Sequence, residues 1–344
     1  MDKIVLTGLL PEEITEALAL PEKFRGKQIF KWIGSGVEDF DSMTNIGKKI
    51  QNALKDGFTL RTSRVAKTLS DPDGTIKLQI ALSDNLAIET VLLTDKEGRK
   101  TACVSCQAGC PIGCAFCRTG QLGLARNLSA AEIVEEFLFL EKAAGKLDNI
   151  VFMGMGEPLL NVPAIQKSIA ILTHKDGRNL SGRRITLSTS GIATGIYQLA
   201  DTLPSVRLAL SLTTADNDLR TSLMPVNKTY PLPELKKAVA YYSAKTGKRV
   251  TLEAALLSGV NTGKESAERM IDFARGLDVN INLIPWNPVA GLPFKEPTAK
   301  EAADFVKMLK TAGLNVTLRT RRGRKIGGAC GQLGRTTAKG GLRL

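Results

Sequence analysis

Histidine is nearly absent from this chain. His174 is the only one in 344 residues, and it stands in a helix-ending Thr-His-Lys-Asp-Gly that reads as solvated, so acid–base chemistry must come from other side chains. Long apolar runs are missing too. No stretch approaches the ~20 residues that cross a bilayer, and the opening Met-Asp-Lys-Ile-Val lacks the apolar run of a secretory signal. The expectation is a soluble, cytoplasmic, monomeric protein with no membrane contact. Structural disulfides are not expected in that setting, so the six cysteines read as metal-binding or catalytic. Acidic residues are in deficit: 34 Asp and Glu face 47 Lys and Arg, a formal charge of +13. That excess attracts a polyanion and points to nucleic acid before membranes or small acids. Charge alone leaves RNA binding and no RNA binding both open.

Five of the six cysteines fall in one short loop, Cys103-Val-Ser-Cys106-Gln-Ala-Gly-Cys110-Pro-Ile-Gly-Cys114-Ala-Phe-Cys117. The last three have the spacing C-x3-C-x2-C. A cubane iron–sulfur cluster takes one thiolate per iron, so a trio leaves one iron open. S-adenosylmethionine (SAM) can fill that position through its amino and carboxylate groups and be cleaved by an electron from the cluster, a radical chemistry that belongs to the cofactor. Cys103-x2-Cys106 followed by Cys114-x2-Cys117 also resembles two halves of a zinc site. Structural zinc knuckles usually separate their pairs by a longer loop.

Length and a 43% hydrophobic content allow one large domain plus a small one. The chain opens with short helical patterns, Pro11 to Leu18, Phe24 to Ile33 and Met43 to Leu54. Phe24-Arg-Gly-Lys-Gln-Ile-Phe-Lys-Trp mixes cations and aromatics that could face RNA, although Phe30 and Trp32 read first as core. From Arg64 to Thr94 the pattern alternates, with Asp73-Gly74 and Asp84-Asn85 as turns between Thr75–Leu82 and Leu86–Leu93, a small antiparallel meander. Glu89 lies in its last strand and reads as solvent-facing.

After Lys100 the chain repeats strand and helix. Strands are expected at Thr101–Ser105, Asn149–Met153, Arg184–Ser188, Val206–Leu212, Arg249–Ala255 and Asn280–Ile284. The clearest helix starts at a capping box, Ser129 with Glu132; others run over Val162–Thr173, Leu232–Ala244, Ser266–Leu277 and Thr298–Thr311. Six parallel strands fall short of an eight-fold barrel. The fold class is therefore α/β, a partial (βα)6 TIM-like barrel with a small N-terminal helical domain and a β-meander extension. Ligands in such folds sit at the carboxyl ends of the strands. Gly154-Met-Gly-Glu-Pro, Ser188-Thr-Ser-Gly, Ser211-Leu-Thr-Thr and Pro285-Trp-Asn-Pro all fall there, and together they outline a ligand pocket.

With the cysteine loop, Gln107 and Thr119-Gly-Gln, these motifs, Asn282-Leu-Ile-Pro-Trp-Asn-Pro and Ala329-Cys-Gly-Gln-Leu resemble the RlmN/Cfr family of radical SAM RNA methyltransferases across nearly the whole chain. The resemblance implies that Cys110, Cys114 and Cys117 ligate a [4Fe-4S] cluster. It implies that Gly156, Glu157, Ser188, Ser211, Leu212, Thr213 and Asn287 line the SAM site, with Thr213, where the family often has His, contributing its backbone. Cys330 matches the cysteine that is itself methylated, Cys103 its transient disulfide partner, and Glu89 the proton acceptor; Cys106, commonly Ser, is a spare thiol. The implied division is residues 1–60 for an RNA-binding helical domain, 61–98 for the β extension, 99–320 for the radical SAM core and 321–344 for the segment carrying the catalytic cysteine.

The implied reaction methylates carbon 2 of an adenosine in 23S rRNA, adenosine 2503 of the peptidyl-transferase centre, with adenosine 37 of tRNA as a second candidate substrate. Carbon 2 lies between two ring nitrogens and is not a nucleophile, hence a radical route. One SAM methylates Cys330, a second is cleaved to a radical that takes hydrogen from the S-methyl group, and the methylene adds to adenine. The adduct loses a proton to Glu89, and Cys103 attacks the Cys330 sulfur, leaving a disulfide for a thiol reductant; a further reductant serves the cluster. A Cfr-type enzyme would methylate carbon 8 instead, and a non-catalytic iron–sulfur or zinc RNA-binding protein is the alternative of another class. Arg319-Thr-Arg-Arg-Gly-Arg-Lys places five cations before Cys330, where they could grip phosphates around an extruded base.

Overall fold

Apolar β-branched runs make the strands and amphipathic runs the helices, and the two alternate about one sheet. The structure, a computed structural model, describes residues 3–334; the Gly- and Lys-rich tail Arg335–Leu344, expected to be mobile, lies outside the described residues. Ile4–Val5 (β1) pairs in parallel with Phe58–Thr59 (β2), closing a loop that holds Pro11–Ala17 (α1), Lys23–Gly34 (α2) and Lys48–Gly57 (α3). The third helix begins at Lys48, because Met43 lies in a turn with its side chain already in the core. Phe30 is core as expected, and it meets His174 edge-on at 5.0 Å. His174 is thus half-buried rather than solvated, its Nδ1 accepting from the Asp176 amide at 3.1 Å.

The meander is Arg64–Ser70 (β3), Ile76–Ala81 (β4) and Ala87–Thr94 (β5). It does not stand apart: β5 pairs antiparallel with Lys100–Cys103 (β6), Val91 opposite Cys103, so meander and barrel share one sheet. A small hairpin of Gln107–Gly109 (β7) and Leu124–Asn127 (β8) brackets the cysteine loop. Ala130–Ala144 (α4) follows behind the expected Ser129–Glu132 capping box. It is buried all round from Ala131 to Leu140, as a helix must be when packed on both sides. One side meets the sheet and the other the N-terminal module, where buried Glu135 accepts from Thr7 Oγ1 at 2.8 Å, the Thr62 and Ser63 amides at 3.0 and 2.9 Å, and Ser63 Oγ.

The remaining units are Asn149–Phe152 (β9), Val162–Thr173 (α5), Ile185–Thr189 (β10), Ala193–Thr202 (α6), Arg207–Ser211 (β11), Asn217–Leu223 (α7), Leu232–Thr246 (α8), Val250–Leu256 (β12), Lys264–Ala274 (α9), Val279–Pro285 (β13), Ala299–Thr311 (α10) and Val316–Leu318 (β14). Among the described residues the main sheet has ten strands in the order β14-β13-β12-β11-β10-β9-β6-β5-β4-β3. Seven of them, β6 and β9 to β14, run parallel to one another, one more than the six expected. The seventh, β14, is only three residues long with two of them exposed, too brief for a periodic signal. The barrel is partial, and its open side is crossed by the chain from Arg319 to Gly334.

Candidate active site

The inner face of the parallel strands carries polar groups where strand alternation turns a residue inward. Ser211, Glu253, Asn282 and Thr317 lie side by side on β11, β12, β13 and β14. Ser188 Oγ lies 3.2 Å from Ser211 Oγ and donates to Glu253 Oε2 at 3.1 Å, while Asn282 Nδ2 donates to Glu253 Oε1 at 3.0 Å. Glu253, only 5% exposed, was missed in the sequence. A carboxylate inside Val-Thr-Leu-Glu-Ala-Ala-Leu was the available signal, since buried acids need such partners.

Above this rung the loops are built to touch. Gly156 sits at φ +105°, and a Cβ there would come within 2.6 Å of Gln107 Cβ and 2.9 Å of Cys106 Sγ, so only glycine lets the loop after β9 close on the cysteine loop. Gln107 Oε1 then accepts the Glu157 amide at 2.8 Å. The Glu157 carboxylate takes the Ser190 amide and hydroxyl, both at 2.7 Å, and the Leu159 amide at 3.1 Å. Burial nevertheless pushes its pKa up. Thr213 adopts φ +62°, a strained setting for a β-branched residue. It is held by its amide on Glu253 O at 3.0 Å and by Asn261 Nδ2 on its own carbonyl at 2.9 Å. Arg220, 0% exposed, ties the strand ends together by donating to Ser190 O, Leu212 O, Ser211 O and Asn227 Oδ1; burial lowers its pKa to about 10, leaving it cationic at neutral pH. It sits on α7, whose end accepts the Ala115 amide through Leu223 O at 2.9 Å and so backs the cysteine loop.

Cys110, Cys114 and Cys117 line a cavity of about 190 Å³ together with Gly156, Glu157, Ser188, Ser211, Thr213 and Asn287. Leu212 is fully buried behind it. Burial drives all three thiols up, Cys110 to about 12; the neighbouring sulfurs push Cys114 further, while hydrogen bonds from Ile112 to Cys110 and from Gly120 and Thr119 to Cys117 act in the opposite direction. Such a trio is stable as thiolates only beside a strong positive charge. The donor set fits an iron–sulfur cluster with an open iron. Among the described residues no three His, Cys, Asp or Glu side chains converge to hold a single metal ion.

A second cavity of about 670 Å³ opens beside the first, lined by Cys103, Arg99, Lys96, Arg319, Arg321 and Arg322 among others. Cys330 lines both cavities, as do Met153, Glu253, Ile284 and Asn287. Cys103 is pushed well above the ordinary thiol range by burial and next by the Cys330 sulfur, while Arg319 acts in the opposite direction. Cys106 is buried under the loop with its sulfur 3.6 Å from Met155 O, and lines neither cavity.

The segment carrying Cys330 is stitched down along its length. The Arg118 amide bonds Gly331 O at 2.8 Å and Thr119 Oγ1 bonds Leu333 O at 2.7 Å, both from the cysteine loop. Asn287 Nδ2 reaches Cys330 O at 3.2 Å. From the meander, Asp73 takes the Gly323 amide at 2.7 Å and Asp71 the Lys325 amide at 3.1 Å. Glu89 is not solvent-facing: it is 3% exposed, ion-paired to Lys77 at 2.9 Å, and accepts the Gly334 amide at 2.8 Å. The alternation that turned it outward on paper is overridden because this segment covers that face of the meander. The arginine run is not free either, since Arg321 and Arg324 both pair with Glu296.

A parallel half-barrel with a three-cysteine loop at its carboxyl ends defines a radical SAM protein, and residues 104–274 match the Radical SAM superfamily model. Residues 16–60 match the model described as the ribosomal RNA large subunit methyltransferase N-terminal domain. A probable dual-specificity RNA methyltransferase RlmN of Treponema denticola is 60% identical over 98% of this chain and 97% of its own length. The one from Moorella thermoacetica is 45% identical over 96% and 97%. The crystal structure of a radical SAM methyltransferase from Sphaerobacter thermophilus superposes with a TM-score of 0.92 at 40% identity, over 96% of this chain and 99% of that one. This chain belongs to the RlmN family of radical SAM RNA methyltransferases.

Proposed function

We propose that the chain methylates carbon 2 of an adenosine, in 23S rRNA and in tRNA, by way of a methylated Cys330. The observation that carries this reading is that Cys330 stands in the wall shared by two cavities, one edged by the three-cysteine loop and one edged by arginines. A thiol so placed can receive a methyl group on one side and deliver it on the other. Cys110, Cys114 and Cys117 would hold a [4Fe-4S] cluster, which when bound supplies the electron that cleaves SAM. Glu157 and the Gly156 backbone would receive the amino acid end of SAM, and Ser188, Ser211, Leu212, Thr213 and Asn287 the rest. Two SAM molecules are used per turnover, one as methyl donor to Cys330 and one cleaved.

Cys103 lies in the RNA-side cavity beside Cys330. After the methylene radical has added to the ring carbon and the adduct has given up one electron, for which the oxidised cluster would be the acceptor, Glu89 takes the proton from the ring carbon and the C–H pair stays in the base. The Cys103 thiolate then bonds to the Cys330 sulfur, the carbon–sulfur pair leaves with the exocyclic carbon, which takes up a proton to become the methyl group, and the resulting disulfide is re-reduced by an external thiol. The same reading divides the chain at 1–60, 61–98, 99–320 and 321–344.

The experiment is anaerobic reconstitution with iron and sulfide, incubation with SAM, a reductant and either a 23S rRNA fragment or tRNA, and mass spectrometry of the digested nucleosides. 2-Methyladenosine in both RNAs is expected. 8-Methyladenosine would move the chain to Cfr-type regiochemistry, and no methylated adenosine in either RNA would overturn the reading.

A further inference from the structure

Lysine is almost never fully buried unless paired. Lys77, on β4, is 1% exposed. Its Nζ lies 2.9 Å from Glu89 Oε1 and donates to Gly327 O at 3.1 Å. The other oxygen of the carboxylate, Oε2, takes the Gly334 amide. Glu89 is therefore held at both oxygens, and each hold leads to the segment bearing Cys330: Gly327 stands three residues before that cysteine and Gly334 four after it.

We propose that Lys77 is a positioning residue for the proton-transfer step, holding Glu89 as an oriented carboxylate. The proposal rests on the reading of Glu89 as proton acceptor. In that step a proton moves from the adenine carbon of the Cys330-linked adduct to a Glu89 carboxylate oxygen, and the bonding pair remains in the heterocycle. The contribution of Lys77 is electrostatic and geometric: a buried carboxylate needs a paired cation and hydrogen-bond donors in place of water, and Lys77 Nζ and the Gly334 amide supply them, one to each oxygen. The ammonium has no other described role. It stands behind Glu89, and as the chain is folded here neither of the two lines either cavity.

The location also separates this effect from earlier steps. Methylation of Cys330 needs the cluster-side cavity, and neither Lys77 nor Glu89 reaches it. Loss of Lys77 should leave that methylation intact and stall the enzyme later, with RNA attached to Cys330 although Cys103 is present.

The test uses the full-length reconstituted enzyme with SAM and RNA, comparing Lys77→Met, Lys77→Arg and Glu89→Gln with the parent. Three quantities are followed: methylated Cys330 by peptide mass spectrometry, RNA-linked protein on a denaturing gel, and methyladenosine. For Lys77→Met the expected result is unchanged Cys330 methylation, at least tenfold more RNA-linked protein and at least tenfold less product, with Lys77→Arg recovering product because it restores the cation. Lys77→Met turning over like the parent while Glu89→Gln stalls would overturn the proposal and leave Glu89 in its role. Glu89→Gln turning over like the parent would instead remove the reading on which the proposal rests. If Lys77→Met loses iron or melts well below the parent, Lys77→Gln carries the same comparison. Loss of fold in both, or equal loss of Cys330 methylation and product, would make Lys77 a structural residue only and overturn the proposal.

Discussion

Asn287 donates from its Nδ2 to the carbonyl of Cys330 at 3.2 Å, while its own Oδ1 is buried with no protein partner. One side chain thus holds the Cys330 backbone and keeps an unused acceptor in the wall that the two cavities share. Buried acceptors are rarely left empty, and a ligand group there would satisfy this one.

Asn287→Ala should lower methylation of Cys330 about tenfold, by loosening the cysteine and removing a SAM contact. Peptide mass spectrometry after incubation with SAM, without RNA, measures this directly. Unchanged methylation would show that the Arg118 and Thr119 bonds to the segment suffice.

Anaerobically prepared protein is expected to carry about four irons and four sulfides per chain, as a cubane requires, and Cys114→Ala to lose them together with SAM cleavage. Iron and sulfide analysis checks both. Stoichiometric zinc without iron would contradict the cluster assignment.

The two thiols on the RNA side are expected to fail differently. Cys330→Ala has no sulfur to methylate and should never become attached to RNA. Cys103→Ala should form the adduct and be unable to release it, giving a slow, nuclease-sensitive band that survives denaturant and reducing agent. The double substitution should abolish that band. Normal turnover by Cys103→Ala would require another thiol, and buried Cys106 lines neither cavity.

RNA binding should weaken steeply with salt, because phosphate contacts release counterions together. Glu296 pairs with both Arg321 and Arg324, so Glu296→Gln should release two cations and tighten RNA binding several-fold at low salt. Arg322, whose guanidinium reaches Asp73 O at 3.5 Å and whose charge acts on the Asp73 carboxylate, should flatten the salt slope when replaced by Ala. Filter binding across a salt series tests both.

Glu135→Ala should destabilise the protein by about 2–3 kcal/mol in a urea titration, since it leaves the buried Thr7 hydroxyl and the half-buried Thr62 and Ser63 amides unpaired. No effect would mean that water replaces the carboxylate.

Much of this architecture was legible in the chain itself, for reasons that can be traced to particular residues. Ser129 and Glu132 announce α4 because a capping box is purely local chemistry. The spacing of Cys110, Cys114 and Cys117 and the loops after β9, β10, β11 and β13 carry their signal in consecutive residues. What stayed hidden depends on partners far away in sequence. Lys77 and Glu89 look like surface charges on an alternating strand until a segment some 250 residues later covers them. Glu253 reads as an interruption of an apolar strand until Ser188 and Asn282 supply its donors. Arg220 sits in a seven-residue helix too short to show a period, and the pairing of Arg321 and Arg324 with Glu296 crosses a loop.

The position of Cys330 between two chambers has a kinetic consequence. On the proposed reading, a sulfur that faces both rooms works as a revolving door: the methyl donor on one side and the nucleic acid on the other would not need to occupy the same space. The enzyme would then be charged before its RNA arrives and wait in that state, and its commitment to a target would be decided by which RNA next reaches the arginine-edged side.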